Sequence, residues 1–147
     1  NAHYYSPEVM NEQASALGLA CAKAIEDSGK RVVLISSHSL SHRHFVTESP
    51  LPEDMSREHI YNHSQYVWDM KLVDMMRGGK MREVIDIMPE YTEQTIAETE
   101  AGGLTWMMSA MGYPDYPAEI YGYQSVIGTG NLIAAWDPME ATREIVL

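Results

Sequence analysis

The chain has 147 residues, 45% hydrophobic and 21% charged, a composition typical of a globular protein with a core of its own. Its net charge of −11 argues against nucleic-acid binding, because phosphates are neutralised by clusters of Lys and Arg that the sequence lacks. No apolar run approaches the roughly 18 residues of a membrane span, and the single Cys21 excludes an intrachain disulfide, so we expect a cytoplasmic protein.

The first predicted elements are a helix and a strand. Ser6-Pro7 has the residues of a helix start and Gly29 those of a helix end. The apolar run Val32–Ile35 follows and predicts a buried strand. A helix that leads into a buried strand is typical of one half of a βαβ unit, so we expect an α/β fold with a parallel sheet and helices on both faces.

The middle of the chain is predicted to be helical and the end to form strands. The expected helices cover residues 56–76, 81–88, 90–101 and 104–111. Two strands, 119–123 and 132–136, flank a glycine-containing turn at Gly128–Asn131. There is no clear domain boundary, and the chain begins at Asn1 without an initiator methionine. We therefore expect residues 1–147 to be a single domain, and a fragment or processed piece of a longer one.

Three histidines follow the predicted strand. His38, His42 and His44 lie within seven residues, among small and polar neighbours. A strand end holds side chains firmly while the loop beyond it admits a substrate, and imidazole exchanges protons near neutral pH or binds metals. Histidines on polar loops are more often solvated, but three together make the functional and the solvated interpretations about equally strong.

Other motifs have weaker functional interpretations. His59 and His63, four residues apart on a predicted helix, have a spacing found in metal sites, but no HExxH signature accompanies them. Gly128-Thr129-Gly130 lacks the lysine and following helix of a phosphate loop and is better explained as a hairpin turn. Glu98 and Glu100 precede an apolar run, and composition alone favours solvated carboxylates at both positions.

Several segments, taken together, resemble the C-terminal half of the class III extradiol ring-cleaving dioxygenases. The resemblance runs from about Ser6 to Asp137, and its motifs are specific only in combination. They are Ser39-Leu40-Ser41-His42, residues 51–56, Tyr66-x-Trp68-Asp69, Ala97-Glu98, Leu104-Thr105-Trp106-Met107 and residues 126–131.

The resemblance implies an α/β fold with a central sheet, mostly parallel and flanked by helices, and one Fe(II) held by two histidines and a glutamate. Such a triad leaves open positions for an aromatic substrate and O₂. By position, Glu98 matches the glutamate ligand, with Glu100 as the fallback, and His42 matches the acid–base histidine. Candidates for substrate contact are His38, His44, Trp106, Tyr121 and Tyr123.

The two metal histidines of the family belong to its N-terminal half, which has no counterpart in this sequence. We therefore expect a companion polypeptide, either an N-terminal half or a subunit of an α/β hetero-oligomer. The first hypothesis is part of an enzyme that opens an aminophenol or catechol ring with O₂. The alternative is a non-catalytic partner subunit or binding module without metal. A third possibility is a complete site built from His38, His42, His44 and Glu98 of this chain.

Overall fold

The computed structural model describes residues 6–42 and 59–141, which form helices around an apolar core and one β-hairpin. The elements in chain order are α1 (Pro7–Ser28), α2 (His63–Arg77), α3 (Met81–Thr95), a 3-10 turn (Glu98–Ala101), α4 (Gly102–Ala110), β1 (Glu119–Val126), β2 (Thr129–Ala135) and α5 (Pro138–Ala141).

Helix α1 has the predicted ends. The Ser6 hydroxyl accepts a hydrogen bond from the Val9 N–H, and Gly29 ends the helix at a φ of 60°. The left-handed conformation at this position costs little free energy, because glycine has no Cβ. The helix packs closely on α4: a Cβ added to Gly18 would lie 2.5 Å from the Trp106 carbonyl oxygen. Cys21 lies on the same helix and is half-buried.

The middle helices differ from the predicted ones. Helix α2 starts with Asn62, whose side chain accepts the Gln65 N–H at 2.8 Å; the predicted cap, Ser56, lies outside the described residues. Helix α3 is continuous through Pro89, so the prediction of two helices, 81–88 and 90–101, was wrong. Proline lacks one N–H, a local loss that burial of Met88 and Tyr91 on either side of it offsets.

A hairpin was predicted here and is present, but its turn is Ile127-Gly128 and not Gly128–Asn131. Strands β1 and β2 are antiparallel, and Val126 pairs with Thr129 across the two-residue turn Ile127-Gly128. Both turn residues have positive φ, 52° and 81°, as a type I′ turn requires. Residues 6–42 and 59–141 form one sheet, which has these two antiparallel strands. The expected mostly parallel sheet is not seen among these residues.

The Val32–Ile35 run is not the buried strand that was predicted. It has no regular secondary structure, and the side chains of Val33 and Ile35 are 84% and 78% exposed. Apolar character alone suggested burial, but burial also needs a covering layer, which the described part of the chain does not provide at this position.

The core lies between α2, α3 and α4. Its largest buried apolar side chains are Leu72, Val73 and Met76 from α2, Met81, Met88 and Tyr91 from α3, and Leu104 and Met108 from α4. The hairpin and the segment before His42 pack on this core through Leu132, Trp136 and Leu40. Within the described ranges, no helix combines the length and the apolar character that a bilayer crossing requires.

Candidate functional site

The backbone of Leu40–His42 is paired on one side with the segment that contains Glu98. The Glu98 N–H donates to the Leu40 carbonyl at 3.3 Å, and the His42 N–H donates to the Thr95 carbonyl at 3.3 Å. Ser41 forms the antiparallel bridge with the residue before Glu98. The two residues given chemical roles, 56 positions apart in the sequence, are therefore on adjoining backbone segments.

The other side of Leu40–His42 is paired with the start of β2. The Leu40 N–H donates to the Gly130 carbonyl and the Gly130 N–H to the Ser41 carbonyl, both at 2.9 Å. His42 forms an antiparallel bridge with Thr129. Because both neighbours pair with this segment, the position of the half-buried His42 is set by two other parts of the chain.

Glu98 is half-buried, and its side chain contacts the same segment. The Ser39 N–H donates to Glu98 Oε2 at 2.5 Å. Four residues near Glu98 have positive φ without being glycine: Ile96 (50°), Thr99 (49°), Glu100 (52°) and Ala101 (57°). Such strained conformations persist only where the surroundings impose them, and they concentrate at functional sites. Sequence reasoning missed this feature, because none of these residue types indicates a left-handed conformation.

His38 lines a small cavity of about 60 Å³ between its own segment and β2, together with Met107, Leu132 and Trp136. Its Nδ1 lies 3.0 Å from the Ser36 hydroxyl. Burial lowers the pKa of His38, and the nearby charge of Glu98 opposes this shift without cancelling it. The imidazole is therefore held in its neutral form at neutral pH.

The aromatic candidates lie in three different places. The Tyr123 hydroxyl donates to Asp69 Oδ2 at 2.7 Å, below the Leu40–His42 segment. The Trp106 indole N–H donates to Cys21 Sγ at 3.4 Å, on the side of α1. Tyr121 is 62% exposed. The structure thus brings only Tyr123 of these three towards His42.

Two other predicted positions bear on the site. His44 lies outside the described residues. Glu100, the fallback for Glu98, is buried within the strained turn. Among residues 6–42 and 59–141, no group of three or more His, Cys, Asp or Glu side chains could hold a metal ion. The pair His59 and His63 therefore has no third ligand of this kind within these residues.

Asp69 joins these elements; the sequence analysis placed it in a family motif but gave it no role. Its fully buried carboxylate accepts from the Ser41 N–H and hydroxyl and from the Tyr91 and Tyr123 hydroxyls. Burial raises the pKa of Asp69, and these hydrogen bonds lower it in part. One signal was available: Asp69 falls at helical spacing from Leu72 and Met76, on the buried face of α2.

Comparison with known proteins identifies the family of the chain. Residues 2–134 match the family model described as the catalytic LigB subunit of aromatic ring-opening dioxygenase. The chain therefore belongs to this family, and the resemblance to class III extradiol dioxygenases is confirmed.

Two relatives are informative. The chain is 45% identical over 139 residues to the 2-aminophenol 1,6-dioxygenase beta subunit of Pseudomonas sp, covering 95% of this chain and 46% of the relative. It is 27% identical over 105 residues to the 3,4-dihydroxyphenylacetate 2,3-dioxygenase of Escherichia coli, covering 71% of this chain and 37% of the relative. The chain thus spans less than half the length of these relatives.

Proposed function

We propose that the chain is one part of the catalytic domain of a non-haem Fe(II)-dependent extradiol dioxygenase. Its substrates are O₂ and 2-aminophenol or a catechol-type aromatic, and its setting is the cytoplasm. The observation that carries the proposal is the direct hydrogen bonding between the Leu40–His42 and Thr95–Glu98 segments. Family membership supplies the class of reaction, and this pairing supports the two residues assigned to it.

The described part of the chain does not fit a complete iron site. Glu98 offers one carboxylate, and a single oxygen ligand gives neither the affinity nor the geometry of a 2-His-1-carboxylate centre. Within the proposal, Glu98 supplies that one ligand, and two histidines come from a companion polypeptide.

His42 acts in the proposal as the acid–base residue. It accepts a proton from the hydroxyl or amino group of the substrate and later returns one to the product, since an imidazole transfers protons in both directions near pH 7. Among the substrate-contact candidates, His38 has the strongest support, because it lines a cavity of mixed polar and apolar character beside Glu98.

The distribution of exposed side chains supports a companion polypeptide. The cavity beside His38 is lined by even-numbered residues of two neighbouring segments, the one that leads to His42 and the one that contains β2. These residues are Ser36, His38, Leu40, Leu132, Ala134 and Trp136. On the opposite face, Val33, Ile35 and Ile133 are 84%, 78% and 69% exposed. Side chains of an extended segment alternate between two faces, so among residues 6–42 and 59–141 this layer is covered by helices on one face and left bare on the other.

Such a layer in an α/β protein is normally covered on both faces. We propose that the companion, corresponding to the part of the relatives that this chain does not span, covers the bare face. It would complete a central, mostly parallel sheet flanked by helices, either as an N-terminal half or as a subunit of an α/β hetero-oligomer.

Metal analysis tests the proposal directly. The chain is purified alone and after co-expression with the matching companion half, and iron content and ring cleavage of 2-aminophenol under O₂ are measured. We expect about one iron per complex and ring cleavage only in the joined form. Stoichiometric iron in the chain alone would contradict the shared site. A joined form with neither iron nor activity would favour the alternative of a non-catalytic partner subunit.

A further inference from the structure

The buried carboxylate of Asp69 holds the residue directly before His42 at two points. Asp69 Oδ1 accepts the Ser41 N–H at 3.1 Å, and Oδ2 accepts the Ser41 hydroxyl at 2.7 Å. Two hydrogen bonds to one residue restrain both its position and its orientation, and charge-assisted bonds of this kind are the stronger ones. His42 follows in the chain with its backbone already oriented.

Two tyrosines also donate hydrogen bonds to Asp69. The Tyr91 hydroxyl of α3 donates to Oδ1 at 2.9 Å, and the Tyr123 hydroxyl of β1 donates to Oδ2 at 2.7 Å. Burial and the charge of Asp69 raise the pKa of Tyr91 well above its usual value, so its hydroxyl stays protonated and continues to donate. An ionised carboxylate accepts only, and these four donors match it.

The same contact explains a glycine in β2. A Cβ added to Gly130 would lie 2.0 Å from Asp69 Oδ2 and 2.7 Å from the Ser41 hydroxyl oxygen. The Gly130 N–H also lies 3.1 Å from that hydroxyl and 2.9 Å from the Ser41 carbonyl oxygen. The absence of a side chain at Gly130 therefore allows Asp69 and Ser41 to meet.

We propose that Asp69 is a positioning residue for the ring-cleavage reaction: through Ser41 it fixes the place from which the His42 imidazole exchanges protons with the substrate. This inference rests on the proposed function for the role of His42. Its rival is a purely structural role, in which Asp69 only joins α2 to α3 and β1 through the tyrosines. The two differ in whether loss of the Ser41 contacts affects turnover beyond its effect on stability.

A pair of variants separates the two roles in the joined enzyme. Asp69→Asn keeps the shape of the side chain but replaces an acceptor with an amide donor, which disturbs the Ser41 contacts. Tyr91→Phe removes one donor to Asp69 and leaves both Ser41 contacts in place. Small displacements of a reacting group can cost roughly 100-fold in rate. We expect Asp69→Asn to lower kcat by roughly 10- to 100-fold with KM within about twofold, because geometry and not binding is lost.

Tyr91→Phe, compared at an equal margin below its own Tm, is expected to keep kcat within about twofold, since it leaves the Ser41 contacts intact. Unchanged kcat in Asp69→Asn, or losses in both variants that simply follow their Tm values, would overturn the positioning role.

Amide hydrogen exchange in the chain alone gives a second measurement that does not depend on activity. Asp69→Ala should speed exchange at the Ser41 amide by at least about tenfold relative to Tyr91→Phe, because it removes the acceptor of that N–H. Equal exchange in the two variants would contradict the proposal. If the wild-type joined enzyme opens no ring, the proposed function fails, and the exchange experiment still decides whether Asp69 fixes Ser41.

Discussion

The two faces of the layer formed by the His42 segment and the hairpin differ sharply. On the inner side, the buried Asp69 is matched by four hydrogen bonds from this chain. On the outer side, Val33, Ile35 and Ile133 are largely exposed. A monomeric surface rarely carries several large apolar side chains next to one another without a partner.

This difference separates what the chain provides from what it needs a companion for. The chain itself already holds the backbones of His42 and Glu98 on adjoining segments. The outer side depends on a companion polypeptide for apolar cover, and in the proposal the same companion supplies the two histidines that meet Glu98 at the iron. Changes to the hydrogen-bonded residues of this chain should therefore alter its chemistry or folding, and changes on the outer side should alter assembly.

Glu98→Ala should give the largest effect of the changes in this chain. Removal of one of three ligands should abolish iron retention and with it ring cleavage in the joined enzyme. Iron per complex and product formation are measured together. Glu100→Gln, two residues away and also in the strained turn, is the matched control and should keep both. Full iron in Glu98→Ala would transfer the ligand role to Glu100 or another residue.

His42→Ala tests the second role assigned to this chain. The variant should keep iron, because Glu98 is unchanged, but lose ring cleavage by about two to four orders of magnitude, the range of general acid–base catalysis. His63→Ala, at an exposed position on α2, serves as the control and should leave turnover unchanged. Normal turnover in His42→Ala would remove this residue from the mechanism.

Gly130→Ala tests the close packing on the inner side. Its Cβ would overlap with Asp69 Oδ2, so either the Ser41 contacts break or the strand shifts. We expect a loss of about 3 kcal/mol in the free energy of unfolding, from overpacking and unpaired buried polar groups. Gly122→Ala in β1 is the control: no atom lies within 4 Å of its added Cβ, and we expect a change below about 1 kcal/mol. Equal unfolding curves for the two variants would show that the contact is looser than described.

Much of the local structure could be predicted from the sequence. Caps and turns depend on a few neighbouring residues, so the helix ends at Ser6 and Gly29 and a hairpin around Gly128 were identified. The family resemblance singled out His42 and Glu98, and the structure places their segments side by side, while their chemical roles stay predictions. These features depend on local chemistry or on family motifs that are specific in combination.

The remaining features depend on contacts between distant residues. The buried role of Asp69 requires donors from Ser41, Tyr91 and Tyr123, which no local pattern connects. The break predicted at Pro89 did not occur, because apolar burial continues on both sides of it. For Val32–Ile35, apolar character predicted a buried strand, but the sequence could not show that the described part of the chain leaves this segment uncovered.

Ile35→Lys tests the outer face and should have the smallest effect on the chain itself. Ile35 is 78% exposed, so the free energy of unfolding of the chain alone should change by less than about 0.5 kcal/mol. Its affinity for the companion half should fall by at least about tenfold, because a charge would be buried in an apolar interface. Leu19→Lys is a matched control: Leu19 is 63% exposed on α1, away from the sheet, and its change should leave the affinity within about twofold, as is common outside an interface. Titration calorimetry with the two polypeptides measures both affinities. Equal affinities for the two variants would mean that the companion does not bind on this face. The exposure of apolar side chains on the outer side would then need another explanation.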